Sequence, residues 1–212
     1  ESRQTMEQLF FRPYYLLALA AIFCGAGTEV VMNQWASTFM DKALDLPKIA
    51  GDLLGMGGFA VMLGIGRMVY GIRGSRMNLH KVLIGGSILS MVCYLTVVFC
   101  PFPLNVAACA LCGLGASLLW PGTLVITSAH FPMAGAWLFA ILAAAGDIGA
   151  AFGSWLTGFI TDNVMGSPVL SWLGGNAEQA SMRMGVLVAA VFPLLALICH
   201  IVLQKLSGKT EE

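Results

Sequence analysis

The sequence predicts an all-α integral membrane protein, a bundle of six transmembrane helices. Three observations carry this. Of the 212 residues, 58% are hydrophobic and only 10% are charged, against about 25% charged in a soluble domain. Mean hydropathy is +0.83. The apolar residues also gather into six runs, each close to the roughly 20 residues that a helix needs to cross a bilayer.

The runs are 14–40, 49–71, 81–100, 104–129, 134–161 and 184–203. Breakers separate them. Pro47 follows the first run, Pro101 and Pro103 part the third from the fourth, and Pro132 parts the fourth from the fifth. Gly166 to Gly175 occupy the last connection. No soluble domain fits between the spans. Residues 1–13 (ESRQTMEQLFFRP) read as a polar cytoplasmic linker without a signal peptide, and 206–212 as a cytoplasmic tail. Starting at Glu1, the chain reads as a fragment or half of a longer one.

Net charge is zero, so only its distribution informs. With the N-terminus inside, cytoplasmic segments hold Arg3, Arg12, Arg67, Arg73, Arg76, Lys81, Lys205 and Lys209, and outer loops hold Lys42, Lys48 and Arg183. Eight against three places both termini in the cytoplasm by the positive-inside rule, in a plasma or inner membrane. No basic face with interleaved aromatics exists, which excludes nucleic acid as a partner. The six cysteines sit in or at the ends of apolar runs and read as small hydrophobes. Cys109 and Cys112 form a CxxC without a second ligand pair, and His80, His130 and His200 form no metal constellation, so no cofactor or metal is expected.

Two carboxylates interrupt the apolar runs. Glu29 lies about 22 Å along its span and Asp147 about 18 Å along its own, from the 1.5 Å rise per residue. Both are near mid-membrane, where an ion costs about 2.5–3.5 kcal/mol on insertion scales. Glu29 is followed by Asn33 at i+4, then Gln34 and Trp35. A carboxylate, carboxamides and an indole together make a polar surface of the kind a sugar needs. The same residues also fit hydrogen bonds that hold neighbouring helices together. Asp147 shares a helix face with Ala151, Ser154 and Gly158, and Gly149 to Gly153 is a GxxxG. It fits proton coupling or solute binding, and equally an internal tie in a tightly packed bundle. Arg67 ends the second predicted span, as an anchor or as a gate pairing with an acid in one conformation. Trp120-Pro121-Gly122 breaks the fourth span, since proline removes a backbone bond and kinks a helix.

These features together resemble the C-terminal half of a major facilitator superfamily (MFS) transporter. GAGTEVVMNQWASTFM resembles the seventh helix of the fucose-permease-like branch. GRMVYG and RGSR resemble the basic loop between the eighth and ninth helices. LGASLLWPGTLVITSAHFP resembles the tenth helix, and AAAGDIGAAFGSWLTGFITD the eleventh. GIRGSR departs from the family's Asp-Arg-x-Gly core, because it lacks the acid. The resemblance implies two three-helix repeats and half of a sugar:proton symporter working by alternating access. The implied partners are a small polar solute, protons, the lipid bilayer, and an N-terminal six-helix half or a second copy. It implies solute binding by Glu29, Asn33, Gln34 and Trp35, proton coupling by Glu29 and Asp147, and gating by Arg67, Arg73 and Arg76.

Two other classes compete. A non-transporting membrane scaffold fits the missing half. An intramembrane enzyme fits poorly: Ser117 in GASL and Ser154 in GSWL do not match a rhomboid-type Gly-x-Ser-Gly, and Gly146-Asp147 is only part of an aspartyl-protease motif. No enzyme activity is expected.

Overall fold

The computed structural model describes residues 12–208. Most of the predicted linker, with Arg3, and the end of the tail, with Lys209, lie outside the described residues. Six helices are long and apolar enough to cross a membrane: α1 Pro13–Leu44, α2 Lys48–Arg76, α3 Leu79–Phe99, α4 Leu104–His130, α5 Ala136–Val164 and α6 Ala177–Gly208. The described residues contain no strand. The all-α six-helix class expected from the sequence is the one observed, and this is an integral membrane protein.

Local chemistry sets the helix ends. Pro13 opens α1 in its first turn, where its missing N–H costs nothing. Asp45 closes α1 in the left-handed conformation at φ 53°, its N–H bonded to the Met40 carbonyl, and Pro47 blocks continuation. Asn78 caps α3 by accepting from the Lys81 N–H. Asn176 and Gln179 form a capping box at the start of α6. That box starts the helix at Ala177, ahead of the apolar run at 184–203. In the same way α2 runs on through its basic end to Arg76.

Three helices are irregular, α6 by a break in its regular winding at Ala190. In α2, Gly51–Gly57 winds as a π-helix. There Gly55 lies on Ala36 of α1, and Ser37 of α1 donates to the Asp52 carboxylate. In α4, the regular winding breaks between Ala116 and Leu119.

The bundle is built around α1. Gly149 of α5 lies directly on the Phe23 carbonyl of α1, leaving no room for a Cβ, and a Cβ on Gly153 would stand 3.3 Å from the Gly27 Cα. The predicted GxxxG is therefore the seam between α5 and α1. Gly25 of α1 meets Leu119 of α4, and Gly27 meets Phe192 of α6. Buried Tyr94 of α3 donates to the Thr28 carbonyl at 2.9 Å, one residue before Glu29. On the far side, buried His200 of α6 bridges Ser87 of α3 (3.2 Å from Nδ1) and Thr123 of α4 (3.0 Å from Nε2). Five cysteines are buried, Cys100 is half-buried, and all are unpaired in disulfide terms.

Burial is uneven among the spans. The apolar window of α1 is 61% buried, whereas those of α2 and α5 are only 22% and 28% buried. The two least covered helices flank α1 and α4.

Replacing Gly149 by Ala is expected to force α5 off α1 and to lower stability by about 1–3 kcal/mol, the range for overpacking. Thermal unfolding of the purified chain in detergent measures this. Gly64→Ala is the control, because a Cβ there meets nothing within 4 Å.

Candidate functional site

Glu29 does not stand alone at depth. Arg67 of α2 places Nη2 3.0 Å from Glu29 Oε1 and 3.2 Å from Oε2. The carboxylate side chain is 14% exposed and the guanidinium 45%. The pair is thus anchored on the acid's side and open on the arginine's. Arg67 lies on α2 well short of its end at Arg76, level with the mid-helix Glu29 it pairs with.

A second bond fixes the guanidinium. Arg67 Nε donates to the Ser117 carbonyl of α4 at 3.1 Å. That carbonyl is free for a reason written in the sequence. In a regular helix it would accept from residue 121, but residue 121 is proline and has no N–H. An unmet carbonyl at membrane depth needs a donor from elsewhere, and Arg67 supplies it. The break in α4 and the ion pair are one structure.

Around this pair opens a pocket of about 570 Å³, lined by Glu29, Arg67, Leu118, Trp120, Pro121 and Leu124. Trp120 reaches across to α5, where a Cβ on Gly146 would stand 2.8 Å from the indole. Glycine there lets the ring lie flat on the helix. The site therefore offers a carboxylate, a guanidinium whose Nη1 makes no hydrogen bond to a described residue, and an indole over an apolar floor. A solute with hydroxyl or anionic groups on one side and an apolar face on the other matches it.

The other sequence-predicted residues fall elsewhere. Gln34 accepts from Ser154 Oγ of α5 at 2.6 Å, and the Trp35 ring lies on Gly158 of α5, 3.2 Å from where a Cβ would stand. The predicted face holding Ser154 and Gly158 is thus turned to α1. Asn33 is half-buried and makes no hydrogen bond to a described residue. None of these three lines the Glu29 pocket. Asp147 is exposed, next to the Gly146 that carries Trp120, and makes no ion pair with any described residue. Arg73 and Arg76 are exposed at the end of α2, also without an ion pair among the described residues. Leu118, Leu124 and the Ser117 carbonyl do not stand out in the sequence. The carbonyl has a usable signal there, its position four residues before Pro121. No group of His, Cys, Asp and Glu among the described residues is arranged to hold a metal ion.

No protein-family model and no curated protein matches the sequence. A solved structure does match in fold. It is the crystal structure of a Major Facilitator Superfamily transporter, FucP, in the outward conformation, with a TM-score of 0.72 at 18% identity. The match covers 94% of this chain and 46% of that one. The chain has the fold of an MFS half. It spans about half the length of the transporter it resembles. The MFS-type bundle expected from local motifs is therefore the fold found.

Within this bundle, Pro121 and Arg67 should be energetically linked. In Pro121→Ala the regained N–H competes for the Ser117 carbonyl, so Arg67→Gln should cost less in that background than in the native one. A coupling of about 0.5–3 kcal/mol is expected, as for groups sharing a partner. A double-mutant cycle on unfolding in detergent reads it. Additive effects would break the link.

Proposed function

We propose that this chain is the C-terminal half of a secondary active transporter that moves a small polar solute, a sugar or a molecule of similar chemistry, across the membrane. Transport is by alternating access, coupled to protons, with both termini in the cytoplasm of a plasma or inner membrane. The partner is an N-terminal six-helix half. The observation that carries the reading is the Glu29–Arg67 pair standing at depth in an open pocket under Trp120. The guanidinium is 45% exposed on the side away from Glu29, which leaves it room to change partners.

The chemistry follows from the pair. Ionised Glu29 neutralises Arg67. Taking up a proton removes that charge and releases the guanidinium to a solute oxygen, so proton and solute bind together. Loss of the proton restores the pair and expels the solute. Asp147, exposed beside Trp120's seat on Gly146, is the second coupling acid. Asn33, Gln34 and Trp35, outside this pocket, contact the solute further along α1 once α5 shifts. Arg67 opens and closes with the pair, and Arg73 and Arg76 serve the cytoplasmic gate. The uncovered faces of α2 and α5 receive the other half. Two different halves, rather than two copies with identical patches, suit an asymmetric solute.

The test is uptake by the complete transporter in vesicles with an imposed proton gradient. Glu29→Gln should abolish gradient-driven accumulation at least tenfold while exchange across a solute gradient persists. Asp147→Asn should shift the pH dependence. Unchanged pH dependence in both variants would sink the coupling.

A further inference from the structure

A second cleft lies away from the Glu29 pocket. α2 and α3 leave the basic turn between them and diverge, each packing on α4 rather than on the other. Gly66 of α2 meets Ser117 of α4, and Gly86 of α3 meets the Gly115 carbonyl. The space between α2 and α3 is about 390 Å³. Tyr70, Met77 and Val82 wall it near the turn, and Leu89 and Leu114 wall it at depth. A helix about 10 Å across is too wide for this volume. A polar solute would leave its hydrogen-bonding groups unmet between apolar walls.

Three cations lie in and beside the turn that joins the two helices at this end of the cleft. Arg73 follows Tyr70 by three residues and so shares its helix face. Arg76 adjoins Met77 in the turn itself, and Lys81 precedes the cleft-lining Gly85 by four residues and so shares its helix face. All three are exposed, and none forms an ion pair among the described residues. From Leu53 to Gly146 the chain contains no Asp or Glu at all. The helices that build the cleft therefore bring no acid to these cations beyond Asp52 at the opposite end of α2. An apolar slot within the bilayer, closed at one end by unneutralised cations, is complementary to one class of molecule: an anionic headgroup carrying an acyl chain.

We propose that the α2–α3 cleft is a binding site for an anionic glycerophospholipid, its phosphate on Arg73, Arg76 and Lys81 and one acyl chain between the two helices. The site is independent of the transport reading. Its depth gives it a structural consequence, because Leu118 lines both this cleft and the Glu29 pocket. A bound chain braces α4 at its break.

The purified full chain in detergent, titrated with phosphatidylglycerol or with phosphatidylcholine of the same acyl chains and read by native mass spectrometry, tests this. Phosphatidylglycerol should bind at least tenfold tighter. The triple variant R73Q/R76Q/K81Q should reduce that preference to under twofold. Gly85→Leu should lower retention of both lipids at least fivefold with helix content unchanged. Its side chain enters the cleft, since a Cβ at Gly85 meets no atom within 4 Å. Glycerol 3-phosphate should not displace the lipid. Equal binding of the two lipids, a preference kept by the triple variant, full retention in Gly85→Leu, or displacement by glycerol 3-phosphate would each overturn the proposal. If the triple variant does not fold, single glutamine variants at the three positions decide, with each expected to lose part of the preference.

Discussion

A charge placed inside a bilayer has to find a counter-charge, and a backbone carbonyl placed there has to find a donor. Arg67 answers both demands at once. It neutralises Glu29 of α1 through Nη2 and satisfies, through Nε, the Ser117 carbonyl that Pro121 leaves open in α4. Remove the arginine and α1 keeps a bare carboxylate while α4 keeps an unmet carbonyl. The three helices that meet at this guanidinium are the ones that enclose the pocket.

The rest of the bundle holds those three helices in place. Glycines let α1 approach α4 and α5 to backbone distance and seat the Phe192 ring of α6. Tyr94 ties α3 to the turn of α1 that carries Glu29. His200 ties α6 to the back of α4, one turn beyond Trp120. Neutral hydrogen bonds thus hold the far side of the bundle, and the ionised groups at depth are kept for the face that is left uncovered. The same break in α4 lies between the Glu29 pocket and the α2–α3 cleft, since Leu118 lines both.

The fold is legible in the sequence because lipid imposes a coarse code: six apolar runs of spanning length, with breakers between them. Glycine spacing also identifies the α5 seam correctly. Glu29 is legible for the same reason, as an ion where lipid tolerates few. Its companions are not. The residues next to it in sequence turn away, because successive positions on a helix diverge by about 100°. Gln34 and Trp35 accordingly meet α5. The residues that face Glu29 come from α2 and α4, and such pairings depend on tertiary packing. Arg67 looks peripheral in the sequence because the apolar run stops at residue 71, whereas the helix runs on through charged residues to Arg76. The proline in α4 reads from sequence as a kink. The arginine that meets the freed carbonyl can be found only in three dimensions.

A transport role for the Glu29–Arg67 pair requires a pocket open to water within the membrane rather than one sealed as a packing tie. Thiol accessibility measures this directly. Leu124→Cys places a thiol in the pocket, and Val92→Cys places one on the exposed apolar face of α3, each in a chain with its native cysteines replaced by alanine. In membrane vesicles, a charged, membrane-impermeant thiol reagent is expected to modify the Leu124→Cys variant and leave the Val92→Cys variant untouched, because only the pocket holds water to ionise the thiol and admit the reagent. Protection of the pocket thiol to the same degree as the one on α3 would contradict the account.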